Sequence, residues 1–257
     1  MTLHLQLTIF NIPDPSITPY FEHMIPAFMN WSSGKDACFA LWTLQQQGLY
    51  DIRYLFTTLN AGFNRVSMHG VREALLDEQA RQVNIPLKKA YLQEHASMED
   101  YNGMMQAQMA AMTQEGIQHA VFGDIFLDDL RLYREAQLAR IGMQAVFPIW
   151  KQDSRQLVLQ MIQAGFKAVV VCANARYLDS SFAGRLIDEQ FLADLPADVD
   201  PCGENGEFHT FVFDGPLFKA PVAFTPGETV ERSYQPDGDI NPNWDNRFFF
   251  KELLPPE

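Results

Sequence analysis

The chain has 257 residues, 47% hydrophobic and 20% charged, the make-up of a folded protein with room for one large domain or a main domain and a smaller partner. Its 19 basic and 32 acidic residues leave a net charge of −13 with no cluster of lysine or arginine, which counts against nucleic acid as a partner. No apolar run nears the roughly 18 residues that span a bilayer. The first 23 residues lack the basic start and cleavage site of a secretory signal, so a cytoplasmic protein without a membrane partner is expected. Cys38, Cys172 and Cys202 are far apart and form no C-x-x-C pair, which argues for buried thiols rather than a zinc or dithiol centre.

Residues 1–24 show no clear period and read as an N-terminal extension or peripheral arm. The core pattern begins at Ile25, where an apolar run ends in the turn Ser32-Ser33-Gly34. Ala37, Ala40, Leu41 and Leu44 then recur at helical spacing, with Gly48 placed to cap the helix. A second apolar run covers 52–59, followed by a polar loop and a helix over 71–83. Residues 85–92 read as a strand, 97–115 as a helix rich in methionine and alanine, and 120–122 as a strand ending at Gly123-Asp124. A helix over 128–140 and a strand over 145–147 complete this part.

Strands alternating with helices predict an α/β fold with a parallel, doubly wound sheet. In such sheets ligands sit beyond the carboxyl ends of the strands, which singles out the loops 32–36, 57–70 and 123–128. A softer boundary falls near residue 150. Beyond it the pattern predicts a helix over 153–164 and strands over 168–172, 208–214 and 221–224, joined by a loop rich in acidic and turn-forming residues. The expected division is therefore an extension over 1–24, a nucleotide-binding part over 25–150, and a smaller C-terminal α+β subdomain over 151–257 that recognises substrate.

A strand, a short turn with Ser-Ser-Gly, a lysine and then a helix is an arrangement that binds phosphate. The first amides of a helix have no internal acceptor, and its dipole favours an anion there. The common P-loop is excluded, because Met29 stands where it needs glycine and Asp36 where it needs Ser or Thr.

Trp31-Ser32-Ser33-Gly34-Lys35-Asp36 resembles the S-G-G-K-D-S signature of the PP-loop ATP pyrophosphatases. Further pieces are similar to one branch of them, the diphthine–ammonia ligase family: Met68-His69-Gly70, Gly123-Asp124-Ile125 with Asp128 and Arg131, 178–185, and 200–207 continuing into 208–211 and 214–218. Ser33 and Ala37 depart from the signature, and Asn205 and His209 replace the Gly and Glu of the E-G-G-E-Y-E stretch of members that amidate diphthine. Bacterial relatives with the variant stretch have been suggested to act on corrinoid side chains. The resemblance implies an adenine nucleotide alpha hydrolase-like (HUP) fold and an AMP-forming carboxylate–ammonia ligase that uses ATP and Mg²⁺.

On that reading the acid, small or protein-borne, is adenylated and then attacked by ammonia, and the chain is free or a homodimer. Lys35, Asp36, Asp124, Glu204, Glu207 and His209 are the catalytic candidates. Ser32, Ser33, Gly34, Lys35, Asp36, Thr57, His69 and Gly123 would hold ATP, with Asp36 on the metal. Asp128, Arg131, Arg185 and Asn205 would face the substrate. Plainer readings stay open beside these: helix-dipole stabilisation for Asp36, helix capping for Asp128, a structural role for His69. Arg134, on the same helix as Arg131, is read first as part of a solvated face. A tRNA-modifying PP-loop enzyme and a non-catalytic adenine-nucleotide binder are the rival functions. The first would call for a basic surface or a cysteine pair, and the second for no polar wall of the kind Glu204, Glu207 and His209 form.

Overall fold

The computed structural model describes residues 24–66, 69–93, 97–233 and 247–256. The expected extension, Met24 apart, lies outside the described residues, as does Met68 of the Met-His-Gly piece. Strand β1 (Ile25–Asn30) leads into helix α1 (Lys35–Gln47), followed by β2 (Tyr50–Asn60), a short β3 (Arg65–Val66), α2 (Glu73–Val83), β4 (Leu87–Leu92) and α3 (Met98–Gln114). Then come β5 (His119–Val121), α4 (Asp128–Ala139), β6 (Gln144–Val146), α5 (Ser154–Gln163), β7 (Lys167–Asn174), α6 (Glu189–Asp194), β8 (Phe208–Asp214), β9 (Thr225–Ser233) and β10 (Arg247–Leu254).

Local chemistry explains the helix ends. Gly48 takes the left-handed conformation at φ 64° and returns its amide to Leu44, closing α1, and Asn84 does the same for α2 at φ 61°. Ser97 and Asp100 form a reciprocal capping box that starts α3, and the Asp153 side chain accepts from the Gln156 amide to start α5.

In the first sheet β1 pairs in parallel with both β2 and β5, β5 with β6, and β2 with β4. Leu55 of β2 is in register with Met29 of β1 and also with Leu87 of β4, so β1 and β4 flank opposite edges of β2. The parallel order is thus β4-β2-β1-β5-β6, with the short antiparallel β3 added at the end of β2 beyond β1. Chain order reverses between β1 and β5, and this is the switch point where a crevice opens. Asn30 at the end of β1 donates its side-chain amide to the Val121 carbonyl at the end of β5, 3.0 Å away, and holds the two strands together there.

Helices cover both faces. Met109, Met112 and Leu138 of α3 and α4 pack with Phe28, Phe56 and Phe122 on one face. On the other, α1, α2 and α5 share a continuous apolar cluster with β7 and β8. Phe166 bridges the two parts, edge-on to both Phe39 and Trp42 of α1. The second sheet is antiparallel, in the order β8-β7-β10-β9.

The strand expected over 221–224 is absent, and those residues form a loop held by a bond from the Val222 amide to Phe213. Proline 221 has no amide to give a ladder, and pairing starts only at Thr225, where Pro226 is tolerated because β9 is an edge strand. The strands β9 and β10 and the short helix α6 were not legible in the pattern.

Gln79 of α2 fastens the second sheet to the turn after β1. Fully buried, it accepts from the Trp31 indole at 2.7 Å and donates to the carbonyls of Ser33 at 3.0 Å and Val212 at 2.7 Å. Gln79→Met keeps the volume but strands the Trp31 N–H. A loss of about 1–3 kcal/mol in urea unfolding is expected, and an unchanged midpoint would refute this fastening role.

Candidate functional site

The turn after β1 is where the sequence placed a phosphate loop, and its geometry is strained. Ser33 sits at φ 71°, a left-handed conformation that a side chain adopts only at a cost, and its hydroxyl is buried with no hydrogen-bond partner among the described residues. Its carbonyl is held by the Val212 amide as well as by Gln79. Gly34 is the N-cap of α1 and has no side chain to spare for capping. A Cβ there would come within 2.9 Å of His69 Cε1 and 3.2 Å of the Thr210 carbonyl, so only glycine lets β8 and His69 lie this close.

Lys35 is 2% exposed, and its ammonium donates to both carboxylate oxygens of Asp36, at 2.7 and 2.8 Å, and to the Cys202 carbonyl. Burial, the largest influence, lowers the Lys35 pKa, but the Asp36 carboxylate and the other acidic groups around it together outweigh burial and hold Lys35 above its ordinary value. The Lys35 amide, one of the orphan donors of the helix start, is capped by the Thr210 hydroxyl at 3.0 Å. The second sheet therefore sits directly on the turn between β1 and α1.

The loop after β5 closes the other side of the crevice. A Cβ on Gly123 would fall 2.8 Å from the Asp36 carbonyl carbon, so this glycine lets the loop touch the first turn of α1. Asp124, 9% exposed, pairs with Arg134 of α4 at 3.1 Å, and the guanidinium lies 4.4 Å from the Phe122 ring centroid. Arg134 is thus drawn inward, against the reading of it as a solvated helix face, because a nearly buried carboxylate needs a counter-charge.

Residues 200–207 cross above this crevice and hold their own shape. Asp200 accepts from the amides of Cys202 and Glu204, both at 3.0 Å. Glu207, 1% exposed, accepts from the Asp200 amide at 3.1 Å and from the backbone and side chain of Asn205 at 2.9 and 3.0 Å. The Glu207 carboxylate and the Asn205 amide are thereby engaged with each other and the loop. Glu204 instead reaches out of the loop and accepts from the Ile125 amide at 2.7 Å. Burial, with a smaller push from Asp36, raises its pKa to about 7.

His69 and His209 stack with ring centroids 4.6 Å apart. His69 Nδ1 lies 3.2 Å from the Thr210 carbonyl, which requires the proton on that nitrogen. Burial depresses both, His69 to about 4 and His209 well below the usual value, so both are neutral at pH 7.

The fold thus gathers Ser32, Ser33, Gly34, Lys35, Asp36, His69, Gly123, Asp124, Glu204 and His209 around one crevice. Thr57 is buried within β2, in register with Lys89. Asp128 is exposed and pairs with Lys151 at 2.8 Å, while Arg131 pairs with Glu135 and lies over Phe147 and Trp150. Arg185 pairs with Asp194 and lies over Phe182 and Phe191, so its partners all belong to the C-terminal part. Gln79 and the Thr210 hydroxyl cap escaped the sequence reading. Gln79 had a signal, a polar residue on the same helical stripe as Leu75, Leu76, Ala80 and Val83. Burial keeps the Cys38, Cys172 and Cys202 thiols protonated.

Among the described residues no group of three or more His, Cys, Asp or Glu side chains is placed to hold a metal. Mg²⁺ needs less from a protein, one or two carboxylates plus nucleotide phosphates and water. Asp36 and Asp124 carry hard carboxylate oxygens of that kind, each paired here with a cation, Lys35 and Arg134.

The sequence matches the diphthamide synthase N-terminal domain over residues 26–145 and the diphthamide synthase C-terminal domain over 153–238. This chain belongs to the diphthamide synthase family. Similar proteins include the diphthine–ammonia ligases of Bos taurus, 30% identical over 125 residues, and Danio rerio, 34% identical over 116 residues. That of Schizosaccharomyces pombe is 28% identical over 133 residues. These matches cover 47%, 43% and 46% of this chain and 47%, 46% and 22% of the respective relatives, less than half of each. No helix among the described residues is long and apolar enough to cross a membrane.

Two outcomes follow from this geometry. Ser33→Gly relieves the left-handed strain and removes the orphaned hydroxyl, so thermal unfolding should shift upward, by about 1 kcal/mol or 2–4 °C; a lower melting temperature would contradict the strain. For Glu204 the folded pKa stands above the unfolded value, so the folded state binds the extra proton and stability falls as pH rises from 4.5 to about 7. The depressed histidines act with the opposite sign, adding stability as pH rises from about 4 to 6.5. Glu204→Gln therefore should make stability climb more steeply with pH over 4.5–6.5 in denaturant titrations, and an unaltered profile would count against the assignment.

Proposed function

We propose that this diphthamide synthase family member is an ATP-dependent ligase that adenylates a substrate carboxylate and transfers ammonia to it, releasing AMP and pyrophosphate. The observation that carries this reading is the buried, permanently charged Lys35 at the Ser33-Gly34-Lys35 turn, at the switch point of a parallel sheet, with Glu204 and Asp124 beside it. The names of the relatives support an ammonia ligase. On this reading residues 25–150 hold ATP and 151–257 contribute the acid-recognising wall.

Hydroxide is a poor leaving group, so ammonia does not displace it from a free carboxylate. Attack of the carboxylate on the α phosphorus expels pyrophosphate and leaves an acyl adenylate, from which ammonia displaces AMP. Lys35 and the amides at the start of α1 stand where charge builds on the departing pyrophosphate, and a preorganised donor there favours breakage between the α and β phosphates. To meet the phosphates the Lys35 ammonium exchanges one of its Asp36 contacts for them. Mg²⁺ would be held by Asp36 and Asp124 together with the nucleotide phosphates and would supply neutralising charge there. Glu204, titrating near 7, accepts a proton from incoming ammonium so that neutral ammonia attacks. The neutral His69 and His209 bring hydrogen-bonding edges to the crevice without a rival positive charge, His69 toward the ribose and His209 toward the amine.

Incubation with ATP, Mg²⁺, ammonium and a panel of acids, diphthine-bearing protein and corrinoid carboxylates among them, tests the reading. AMP and pyrophosphate should appear in step with amide, whereas ADP would overturn it. In Lys35→Met the rate is expected to drop about 10²–10³-fold with an unchanged circular dichroism spectrum. Retained turnover would remove Lys35 from the chemistry.

A further inference from the structure

Strand β10 belongs to the second sheet, yet two of its residues grip the loop of the first sheet that carries His69. Arg65 of β3 and Arg72 face each other in an antiparallel bridge at the root of that loop. Two guanidiniums side by side repel unless an anion lies between them. Glu252 of β10 is that anion. One of its oxygens accepts from Arg72 Nε at 2.7 Å and the other from Arg65 Nη2 at 2.8 Å. Among the described residues no other carboxylate pairs with either arginine. Burial pushes the Glu252 carboxyl up, but the two arginines more than offset it and hold it below its ordinary value.

The grip extends along the loop to its functional side chain. Arg65 Nη1 donates to the Gly70 carbonyl at 2.7 Å. Gly70 sits at φ 70°, and a Cβ there would fall 2.9 Å from Phe250 Cδ1, so glycine lets the loop lie directly on β10. The adjacent residue is His69, whose Cε1 lies against Gly34 and whose ring stacks on His209. Its Nδ1 donates to the Thr210 carbonyl, and the Thr210 hydroxyl caps the Lys35 amide. A free neutral imidazole carries its proton mainly on Nε2, so the Nδ1–H form is imposed here by the surroundings. It leaves Nε2, the atom next to Cε1, as a bare acceptor.

We infer that Glu252 is a positioning residue: by clamping Arg65 and Arg72 it fixes the His69 loop and sets the tautomer that His69 presents to the crevice. The Nε2 acceptor suits a ribose hydroxyl, which donates. The clamp and the tautomer stand on the contacts alone, whereas the consequence for ATP rests on the ligase reading, in which His69 faces the ribose.

The test uses the whole chain labelled with ¹⁵N-histidine, the His69 signals being assigned through His69→Asn. In the unsubstituted protein at neutral pH the His69 proton should sit on Nδ1. Glu252→Gln leaves the two guanidiniums without their anion and should move that proton to Nε2. Arg65→Lys keeps the charge but loses the fork onto Glu252 and Gly70, and it should do the same. Arg247→Gln breaks another ion pair of β10, with Glu231, and should leave His69 as it is. Retention of the Nδ1 proton in both Glu252→Gln and Arg65→Lys, or its loss in Arg247→Gln as well, would overturn the clamp. By calorimetry the unsubstituted protein should bind ATP about three- to tenfold more tightly than 2′-deoxy-ATP or 3′-deoxy-ATP, and Glu252→Gln should abolish the difference. A tautomer shift with that discrimination intact would overturn the link from Glu252 to the nucleotide. Absence of AMP release with every acid, beside an intact tautomer shift, would sink the ligase reading and leave the clamp standing.

Discussion

A buried ammonium in a protein interior must be paired, and the way Lys35 is paired organises the molecule. One partner is the neighbouring carboxylate of Asp36, and the other is the carbonyl of Cys202, 167 positions away in the chain. The second contact fastens the loop 200–207 to the turn between β1 and α1. The loop leading into β8, not the first sheet, completes the polar shell of Lys35. The charge survives burial because both arrive together.

Closeness is what the rest of the turn is built for. The glycines at 34 and 123 remove the side chains that would hold β8, His69 and the loop after β5 away from the start of α1. Ser33 bears a strained backbone and an unpaired buried hydroxyl at the point where Gln79 and Val212 grip its carbonyl. Strain concentrated at one turn is held by the surrounding packing, here the continuous apolar cluster from α1 to β7 and β8.

Two glutamates three residues apart illustrate how environment assigns roles. Glu207 is almost wholly buried, with its oxygens spent on the amides of its own loop. Glu204 has one amide partner, and burial leaves it titrating near neutrality. The pair looks alike in a string of residues. The difference is made by which way the loop turns, and that direction follows from the Asp200 and Glu207 caps acting together.

What the sequence by itself determined is local or periodic. The alternation of apolar runs and helical stripes specified the parallel sheet, and the Ser-Ser-Gly-Lys-Asp stretch marked the turn between its first strand and helix, because strand, cap and helix start are encoded within a dozen residues. Gly48, Asn84 and Ser97 were effective for the same reason. The tertiary structure alone decided the pairing of Lys35 with Cys202, the inward turn of Arg134 onto Asp124, the fastening role of Gln79 and the edge strand that begins at Thr225 rather than Pro221. Each of these depends on groups far apart in the chain meeting in a low-dielectric interior, where an unpaired charge or amide is costly. No periodicity records which distant partner will satisfy it.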